Sequence, residues 1–310
     1  MASQRQLKSK REAVGNIRQM TKAMEMVAAA KMRKAEEVAL ASRPYARKSL
    51  ELLLHLRRHG WVDELACPFF GGTSSEKACL VVVASDKGLA GSYNASVLKK
   101  AMRWREEQGG DVVAVGRKSR DFFSYRGVPP VAEFVRFSDV VTLYEASPVI
   151  DWVLSAYEEG RYGTIAFCSA TFISALRQEV DIRQLLPLQE ERLKEIVEGI
   201  VPKTGKYATL LREEGGQEGL EHLEYLLEPT GRDIGEALVR SLVRVAVFHL
   251  ILEANASEHS SRMVAMKSAT DNAEEIQERL TIELNKARQA AITQELSEIS
   301  TAKEALNTES

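Results

Sequence analysis

The sequence has few of the features that mark secreted, membrane-spanning or metal-binding proteins. Its three cysteines, Cys67, Cys79 and Cys168, show no metal-ligand or redox spacing, which fits a reducing compartment. No apolar run approaches the roughly 18 residues of a membrane helix, and the N-terminus has no signal-peptide core. We therefore expect a soluble chain that associates with membranes only through partner proteins.

A strong overall charge is also missing. The formal net charge of the 310 residues is -2, so the whole chain has no strong attraction to nucleic acid or anionic lipid. The charge is unevenly distributed, because residues 1–34 contain nine Lys and Arg against two Glu. This local excess predicts an acidic partner for the N-terminal segment.

Aromatic residues and prolines are nearly absent from both ends of the chain. Residues 1–43 contain neither, and residues 233–310 contain no proline and one aromatic, Phe248. This pattern predicts two long helices that flank a compact insert. We assign residues 1–59 and 230–310 to the N- and C-terminal coiled-coil helices, and residues 76–228 to a Rossmann-like α/β domain.

Both terminal segments show a seven-residue repeat with steps of three and four. In the first helix the repeat is Leu7, Val14, Ile17, Thr21, Met24, Ala28, Lys31, Ala35 and Val38. In the last it is Leu238, Leu242, Val245, His249, Leu252, Ala256, His259, Met263, Met266, Thr270, Ala273, Gln277, Leu280, Leu284, Ala287 and Ala291. Helices this long need a partner, and we predict that the two form one antiparallel coiled coil.

Two boundaries of these helices can also be predicted. Pro44 should end or kink the first helix, with a second helical stretch from Ala46 to His59 in a new direction. Residues 230–232 resemble a turn, and Asp233 with Glu236 resembles a capping box for the last helix.

The middle of the chain alternates strand and helix patterns, which indicates a doubly wound sheet. We predict strands at residues 79–84, 111–115, 131–135 and 163–169, and helices at 94–108, 117–125 and 141–157. Residues 185–202 and 220–227 give no clear pattern. The charged, Gly-rich residues 203–219 are predicted to form a loop.

Residues 85–94, Ser-Asp-Lys-Gly-Leu-Ala-Gly-Ser-Tyr-Asn, follow a strand and open a helix, as a phosphate-binding loop does. The three-glycine dinucleotide pattern and a Gly-Lys-Ser/Thr ending are both absent. We interpret the segment as a structural turn. The alternative is an enzyme with a nucleotide site at Gly88 to Asn94.

Groups for catalysis or metal binding do not assemble from the sequence. His249 and His259 lie in the predicted seam, and no second histidine stands four residues from His259, as a zinc protease would require. No nucleophile–base set is apparent. We predict no catalytic residue, no metal and no cofactor.

The basic N-terminal segment has two further interpretations. It can be a solvated helix face, or the nucleic-acid-binding surface of a coiled-coil adaptor. Residues 21–34 favour a third function, because they combine small seam residues, methionines and a positive end, which suit a surface that slides past several partner conformations.

The terminal motifs resemble one family closely. Residues 17–34, Ile-Arg-Gln-Met-Thr-Lys-Ala-Met-Glu-Met-Val-Ala-Ala-Ala-Lys-Met-Arg-Lys, are similar to the N-terminal shaft helix of gamma subunits of F-type ATP synthases. Residues 85–89, 256–273 and 285–296 resemble the same family, so the likeness extends from end to end. The sequence departs from the family pattern at Ala90 and Ser92, and at Ala302-Lys303, where the family is small and apolar.

The resemblance implies a non-catalytic central-stalk subunit that couples rotation of a membrane c-ring to conformational change at the beta subunits. It implies alpha, beta and epsilon subunits and the c-ring as partners, no nucleic acid, and a peripheral position at the cytoplasmic face of a bacterial inner membrane. Carried over by motif, the beta contacts are Met24, Lys31, Arg33, Lys34, Arg288, Gln289, Thr293 and Glu295.

Overall fold

The computed structural model describes residues 4–58, 68–174, 177–188 and 230–308. The chain divides into two compact units. We call Met1–Val27 with Met263–Ser310 the coil unit, and Ala28–Arg262 the α/β unit. Helices α1 (Gln4–Arg58) and α6 (Gly231–Thr308) contribute residues to both units.

The coil unit is an antiparallel pair of helices. Its register follows from the hydrogen bond of Thr270 to Thr21 (Oγ1–Oγ1, 2.8 Å), the ion pair of Arg18 with Glu274 (2.9 Å), and the approach of Gln277 to Gly15. Partners on α6 lie at lower residue numbers as those on α1 rise, so the two helices run in opposite directions. This confirms the predicted antiparallel coil.

The predicted seam on α6 is buried or half-buried at every position. On α1 one seam residue differs, because Ile17 is 52% exposed. Arg18 is half-buried instead, and its guanidinium reaches Glu274. A long basic side chain can cover a seam with its aliphatic stem while its charged end stays near water, and this explains why the apolar pattern misplaced the contact by one residue.

The α/β unit is built on a five-stranded sheet of order β3-β2-β1-β4-β5. The strands are β1 (Ala78–Val83), β2 (Asp111–Val115), β3 (Ala132–Phe134), β4 (Thr164–Ser174) and β5 (Arg177–Leu186). Strands β1 to β4 are parallel, and β5 pairs antiparallel with β4. The chain first moves outward from β1 to β3, then crosses to the other side of β1, as in a doubly wound fold.

Helices cover both faces of this sheet. They are α2 (Pro68–Gly71), α3 (Tyr93–Gln108), α4 (Arg117–Tyr125) and α5 (Leu143–Glu158), together with parts of α1 and α6. Val81 and Val83 pack in a cluster with α5 and α6, whereas Leu80 and Val82 pack in a cluster with α3 and α4. Alternate strand residues therefore serve opposite faces, which is why β1 is apolar throughout and could be predicted.

Helix α1 continues through Pro44 to Arg58, so Pro44 does not end it, and the predicted second helical stretch is part of the same helix. Two predicted boundaries were wrong. The cap of α6 is Thr230, whose Oγ1 accepts from the Asp233 backbone N–H, so the helix begins two residues before the predicted box. Strand β4 extends to Ser174, five residues beyond its predicted end.

Strand β5 was missed because it is an edge strand. Its sequence alternates charged and apolar residues, and it is mostly exposed or half-buried until Leu185. The start of α5 was two residues later than predicted, at a capping box formed by Thr142 and Glu145. The predictions for residues 189–229 lie outside the described residues.

Candidate functional site

The eight residues predicted to contact a beta subunit lie in three places. Arg288, Gln289, Thr293 and Glu295 are exposed on the C-terminal part of α6 in the coil unit. Met24 is half-buried in the N-terminal part of α1, in the same unit. In the α/β unit, the side chains of Arg33 and Lys34 are exposed, whereas Lys31 is half-buried.

The C-terminal part of α6 leaves an apolar stripe uncovered. Between Arg288 and Ser300 every residue except Ala291 is exposed. Ile292, Leu296 and Ile299 are 50%, 63% and 66% exposed, and their spacing places them on one helix face. A stripe of this kind on a helix with polar neighbours is typical of a surface that a partner protein covers.

The basic N-terminal segment is partly neutralised within the chain. Arg18 pairs with Glu274, and Lys22 with Glu25 at 3.0 Å. Lys31 pairs with Asp139, with a distance of 2.6 Å from Nζ to Oδ2. These internal pairs reduce the positive charge that α1 presents to nucleic acid, and they do not favour the adaptor interpretation.

Residues 85–94 form a turn that satisfies its own polar groups. The Ser85 N–H donates to Asn94 Oδ1 (3.0 Å), and the Asn94 amide donates back to Ser85 Oγ (2.8 Å). The Asp86 carboxylate accepts from the backbone N–H groups of Arg117 (2.8 Å) and Phe137 (2.9 Å). An internal carboxylate thus occupies the N-terminus of α4, where a bound phosphate would otherwise be favoured.

A small cavity lies next to this turn. It measures about 40 Å³, and its lining includes Asp86, Tyr93, Asp139, Glu258 and His259. Binding sites for small molecules usually have volumes of several hundred Å³. The cavity is therefore far too small for a nucleotide, which weakens the enzyme interpretation.

Asp139 is the centre of a polar cluster between β3 and α5. Its carboxylate binds Lys31 through Oδ2 and Lys87 through Oδ1, at 2.6 and 2.9 Å. These two hydrogen bonds, Lys31 first, lower the pKa of Asp139 to about 2. The Asp139 backbone carbonyl lies 2.5 Å from Nε2 of His259. We call Lys31, Lys87, Asp139 and His259 the Asp139 cluster.

The tautomer of His259 follows from its two neighbours. A carbonyl can only accept, so Nε2 must donate to Asp139. Arg262 can only donate, and its Nη1 lies 3.3 Å from Nδ1 of His259, which must accept. The ring is therefore neutral, in agreement with burial lowering the pKa of His259 to about 4.

Arg262 and Glu258 extend this network on α6. Arg262 lies 2.5 Å from Glu258 and donates to the Gly88 carbonyl. Burial raises the pKa of Glu258, while the charge of Arg262 opposes that shift. Arg262, oriented by Glu258, thus joins α6 to the segment that follows β1.

The described residues contain no group of three or more His, Cys, Asp or Glu side chains that could hold a metal ion. Cys79 and Cys168 are buried, and burial raises the pKa of each thiol to about 12, so neither is a nucleophile near neutral pH. Within the same part of the chain, no helix is long and apolar enough to span a bilayer.

Asp139 belongs to no motif or periodic pattern that the sequence shows. The position of Asp139 in the loop after β3 could have indicated a role, because polar residues that follow parallel strands meet at one edge of the sheet. The sequence did give the other members, Lys31, Lys87 and His259, but as separate motifs.

The chain thus belongs to the class of proteins that combine an α/β unit, with helices on both faces of its sheet, and an antiparallel two-helix coil. A family model described as ATP synthase matches residues 3–306. Proteins named ATP synthase gamma chain are similar over most of their length. The one from Desulfitobacterium hafniense is 36% identical over 96% of this chain and 97% of its own. The one from Chloroflexus aurantiacus is 34% identical over 99% of both.

This chain belongs to the ATP synthase gamma chain family. Solved structures support the fold. A chain of the Tetrahymena thermophila mitochondrial ATP synthase central stalk and c-ring has a TM-score of 0.55 at 23% identity, covering 81% of this chain and 99% of that one. A chain of a Euglena gracilis mitochondrial ATP synthase structure has a TM-score of 0.59 at 17% identity, covering 98% and 94%.

Proposed function

We propose that the chain is the rotor subunit of the central stalk of an ATP synthase. In this role it couples ion-driven rotation of a membrane c-ring to conformational change, and so to ATP synthesis or hydrolysis, at the beta subunits. The observation that carries the proposal is the uncovered stripe of Ile292, Leu296 and Ile299 on a helix end that is otherwise polar and exposed. Family membership supports the same role.

The mechanism requires no chemistry from this chain. An asymmetric helix pair presents a different face to each of several surrounding catalytic subunits, and each subunit responds to the face that it meets. The difference in contact free energy biases each subunit towards one conformation and so changes its nucleotide affinity. In this role the chain is non-catalytic, and the mechanism needs no cofactor or metal in it.

The beta contacts that we propose are Met24, Arg33, Lys34, and the polar set Arg288, Gln289, Thr293 and Glu295. The exposed charges of this set, on Arg33, Lys34, Arg288 and Glu295, give rapid encounter with oppositely charged loops but modest net affinity. Modest affinity suits a subunit that must release each partner in turn. Lys31 belongs to the same motif, and its pairing with Asp139 leaves its side chain 31% exposed. Its contribution to beta contact competes with that internal pair.

The proposed partners are the alpha, beta and epsilon subunits and the c-ring, at the cytoplasmic face of a bacterial inner membrane. The test is to purify the tagged chain from native membranes and identify the proteins that accompany it. We expect alpha, beta, epsilon and c subunits in fixed ratio. Salt-sensitive recovery of nucleic acid without these subunits would support the adaptor interpretation and contradict the proposal.

A variant at Met24 tests the mechanism within the assembled complex. Met24→Lys adds a positive charge near Lys22, and we expect it to bind acidic beta loops too tightly and to lower the number of ions pumped per ATP hydrolysed. Met24→Leu is the matched control, because it keeps the volume and adds no charge. Equal pumping ratios for the two variants would make Met24 an ordinary seam residue.

A further inference from the structure

In the α/β unit, the two long helices are attached to the sheet in different ways. Helix α6 is held at several points along its length. Glu253 pairs with Arg183 of β5 at 2.5 Å, the Ser257 hydroxyl donates to the Ala170 carbonyl, and the Tyr93 hydroxyl donates to the Ala254 carbonyl. Helix α1 also packs in the core of this unit, through apolar residues that include Ala35 and Ala46, and the Tyr45 hydroxyl hydrogen-bonds to Ser241 of α6 (2.6 Å). Its charged contact with the loops at the edge of the sheet is Lys31, which binds Asp139.

The Asp139 cluster joins four elements at one residue. The Asp139 carboxylate holds α1 through Lys31 and the segment after β1 through Lys87. Its backbone carbonyl holds α6 through His259. The loop between β3 and α5, which carries Asp139, is thus fixed to both long helices.

The charges around Asp139 make its carboxylate hard to replace. Lys31, Lys87 and Arg262 are cations, His259 is neutral, and the nearby carboxylates of Asp86 and Glu258 are bonded to Arg117 and Arg262. Without the Asp139 charge, Lys31 and Lys87 would repel each other across the gap that the carboxylate bridges. The ends of Lys31 and Asp139 are about one-third and two-fifths exposed, so water would screen this repulsion only in part.

We propose that Asp139 is a positioning residue of the rotor. It holds α1 at Lys31 to the loop between β3 and α5, so that torque applied to the α/β unit reaches α1 through this charged contact as well as through apolar packing. This inference rests on the proposed function. The proposed role of Asp139 is to transmit torque, and it takes no part in nucleotide chemistry. Lys31 then acts within the chain, through Asp139, which its motif alone did not indicate.

Asp139→Asn separates the contacts of the cluster. The substitution removes the charge that binds Lys31 and Lys87, but it keeps the backbone carbonyl that accepts from His259. It therefore removes the charged contact of α1 and leaves both the apolar packing of α1 and the His259 contact of α6 in place. Asp139→Glu keeps the charge on a side chain that is one methylene longer. We expect it to pump ions against a gradient faster than Asp139→Asn does.

The test compares the variant with and without load. One sample is the intact ATP synthase in sealed vesicles, in which hydrolysis must drive ions against a gradient. The other is the complex after its membrane part has been removed, in which nothing resists rotation of the α/β domain. We expect Asp139→Asn to hydrolyse ATP within about twofold of wild type without load, and to pump ions against the gradient about fivefold more slowly.

Asp151→Asn is the matched control. Asp151 on α5 pairs with Arg244 of α6 at 3.1 Å, so it also ties a long helix to the domain through an exposed carboxylate. Because α6 has several other attachments, we expect this variant to pump ions as wild type does. Melting temperatures of all variant chains, measured in parallel, should agree with wild type within a few degrees.

Lys31→Met distinguishes an internal role from a direct beta contact. If Lys31 acts through Asp139, the double variant Lys31→Met/Asp139→Asn pumps no more slowly than either single variant. If Lys31 instead contacts beta independently, the two losses multiply and the Lys31 loss persists without load. That second result would overturn the inference.

Two further outcomes would overturn it. Normal pumping by Asp139→Asn against a gradient would show that the contact transmits no torque. Equal losses with and without load, together with a lower melting temperature, would reduce Asp139 to an ordinary stabilising residue. A wild-type chain that fails to assemble with ATP synthase subunits would refute the proposed function and this inference with it, whereas normal wild-type coupling confines any failure to Asp139.

Discussion

The coil unit and the α/β unit differ in how much apolar surface they bury. In the coil unit, the fully buried apolar residues among those whose burial is described are Leu7, Met266 and Ala273. In the α/β unit, two extensive apolar clusters fill both faces of the sheet. A two-helix coil shares one narrow seam, whereas a sheet covered on both sides buries nearly every strand residue.

This difference predicts that the α/β unit is stable by itself, whereas the end of α6 depends on partner proteins for stability. The α/β unit buries large side chains such as Tyr157, Phe123 and Phe167 and can supply its own folding free energy. The end of α6 leaves Ile292, Leu296 and Ile299 in water. Substitutions in the first region should therefore change the free energy of unfolding, and those in the second should change assembly and turnover.

The largest expected effect is in the α/β core. Phe167→Ala in β4 removes a fully buried ring, and we expect it to lower the free energy of unfolding by about 3–5 kcal/mol. Leu296→Ala, on the exposed end of α6, should change it by less than about 0.5 kcal/mol. Urea unfolding of both variant chains measures the contrast, and similar losses would show that the two regions do not differ in the way described.

The next effect is the pH dependence of the α/β unit. His259 is neutral in the folded chain, with a pKa of about 4 against an ordinary value of 6.5. The unfolded chain therefore takes up a proton that the folded chain does not as pH falls from about 6.5 to about 4, and stability falls by up to about 3 kcal/mol over that window. The raised pKa values of Glu253 and Glu258 act in the opposite direction.

His259→Gln isolates this contribution. Glutamine keeps an N–H that can donate to the Asp139 carbonyl but does not titrate. We expect the variant to lose less stability than wild type between pH 6.5 and pH 4 when urea unfolding is measured across that range. An identical slope in the two chains would mean that His259 titrates normally.

The third prediction concerns the polar end of α6. Replacing Arg288 and Gln289 together with alanine should leave the melting temperature of the isolated chain unchanged, because both side chains are exposed. In the assembled complex we expect ATP turnover to fall about fivefold or assembly to weaken. The matched control is the pair Asn285→Ala and Lys286→Ala, which also removes one amide and one cation from exposed positions of the same helix.

Normal turnover in a stably assembled Arg288/Gln289 variant would remove the torque contact from this end of α6. The contact would then be assigned to Arg33 and Lys34. Equal losses in the control pair would show that any charge removed from this helix has the same effect.

The smallest expected effect lies in the coil unit itself. Glu274 pairs with Arg18, but its side chain is 56% exposed, so the pair is well screened by water. Glu274→Gln should lower the free energy of unfolding by less than about 0.5 kcal/mol. A loss above 1 kcal/mol would show that this register contact, rather than the seam, holds the two helices together.

Much of the fold was predictable because short-range patterns in the sequence indicate its helices and strands. The apolar run of β1 and the repeat on α6 each follow from burial on a fixed period, and both were found within a few residues. Strand β5 was missed because an edge strand exposes charged side chains and gives a weaker pattern. Ile17 was misplaced because the stem of Arg18 took the seam position that an apolar residue was expected to fill.

The candidate site was only partly predictable. The exposure of Arg288, Gln289, Thr293 and Glu295 agrees with a role in partner contact, and that role stays a prediction. The Asp139 cluster was invisible in the sequence, since Lys31 lies 108 residues before Asp139 and His259 lies 120 residues after it. No periodic pattern connects positions that far apart.

The sequence by itself determined the two long helices, the doubly wound sheet and the family, because helix and strand periodicity and end-to-end motifs are local properties of the chain. Only the tertiary structure decided which charges are free and which are bound. Lys31 is a positive residue of a basic helix in the sequence, but the fold places a carboxylate 2.6 Å from it. Pairing depends on the distance between side chains from distant segments, and that distance is fixed only when the segments pack together.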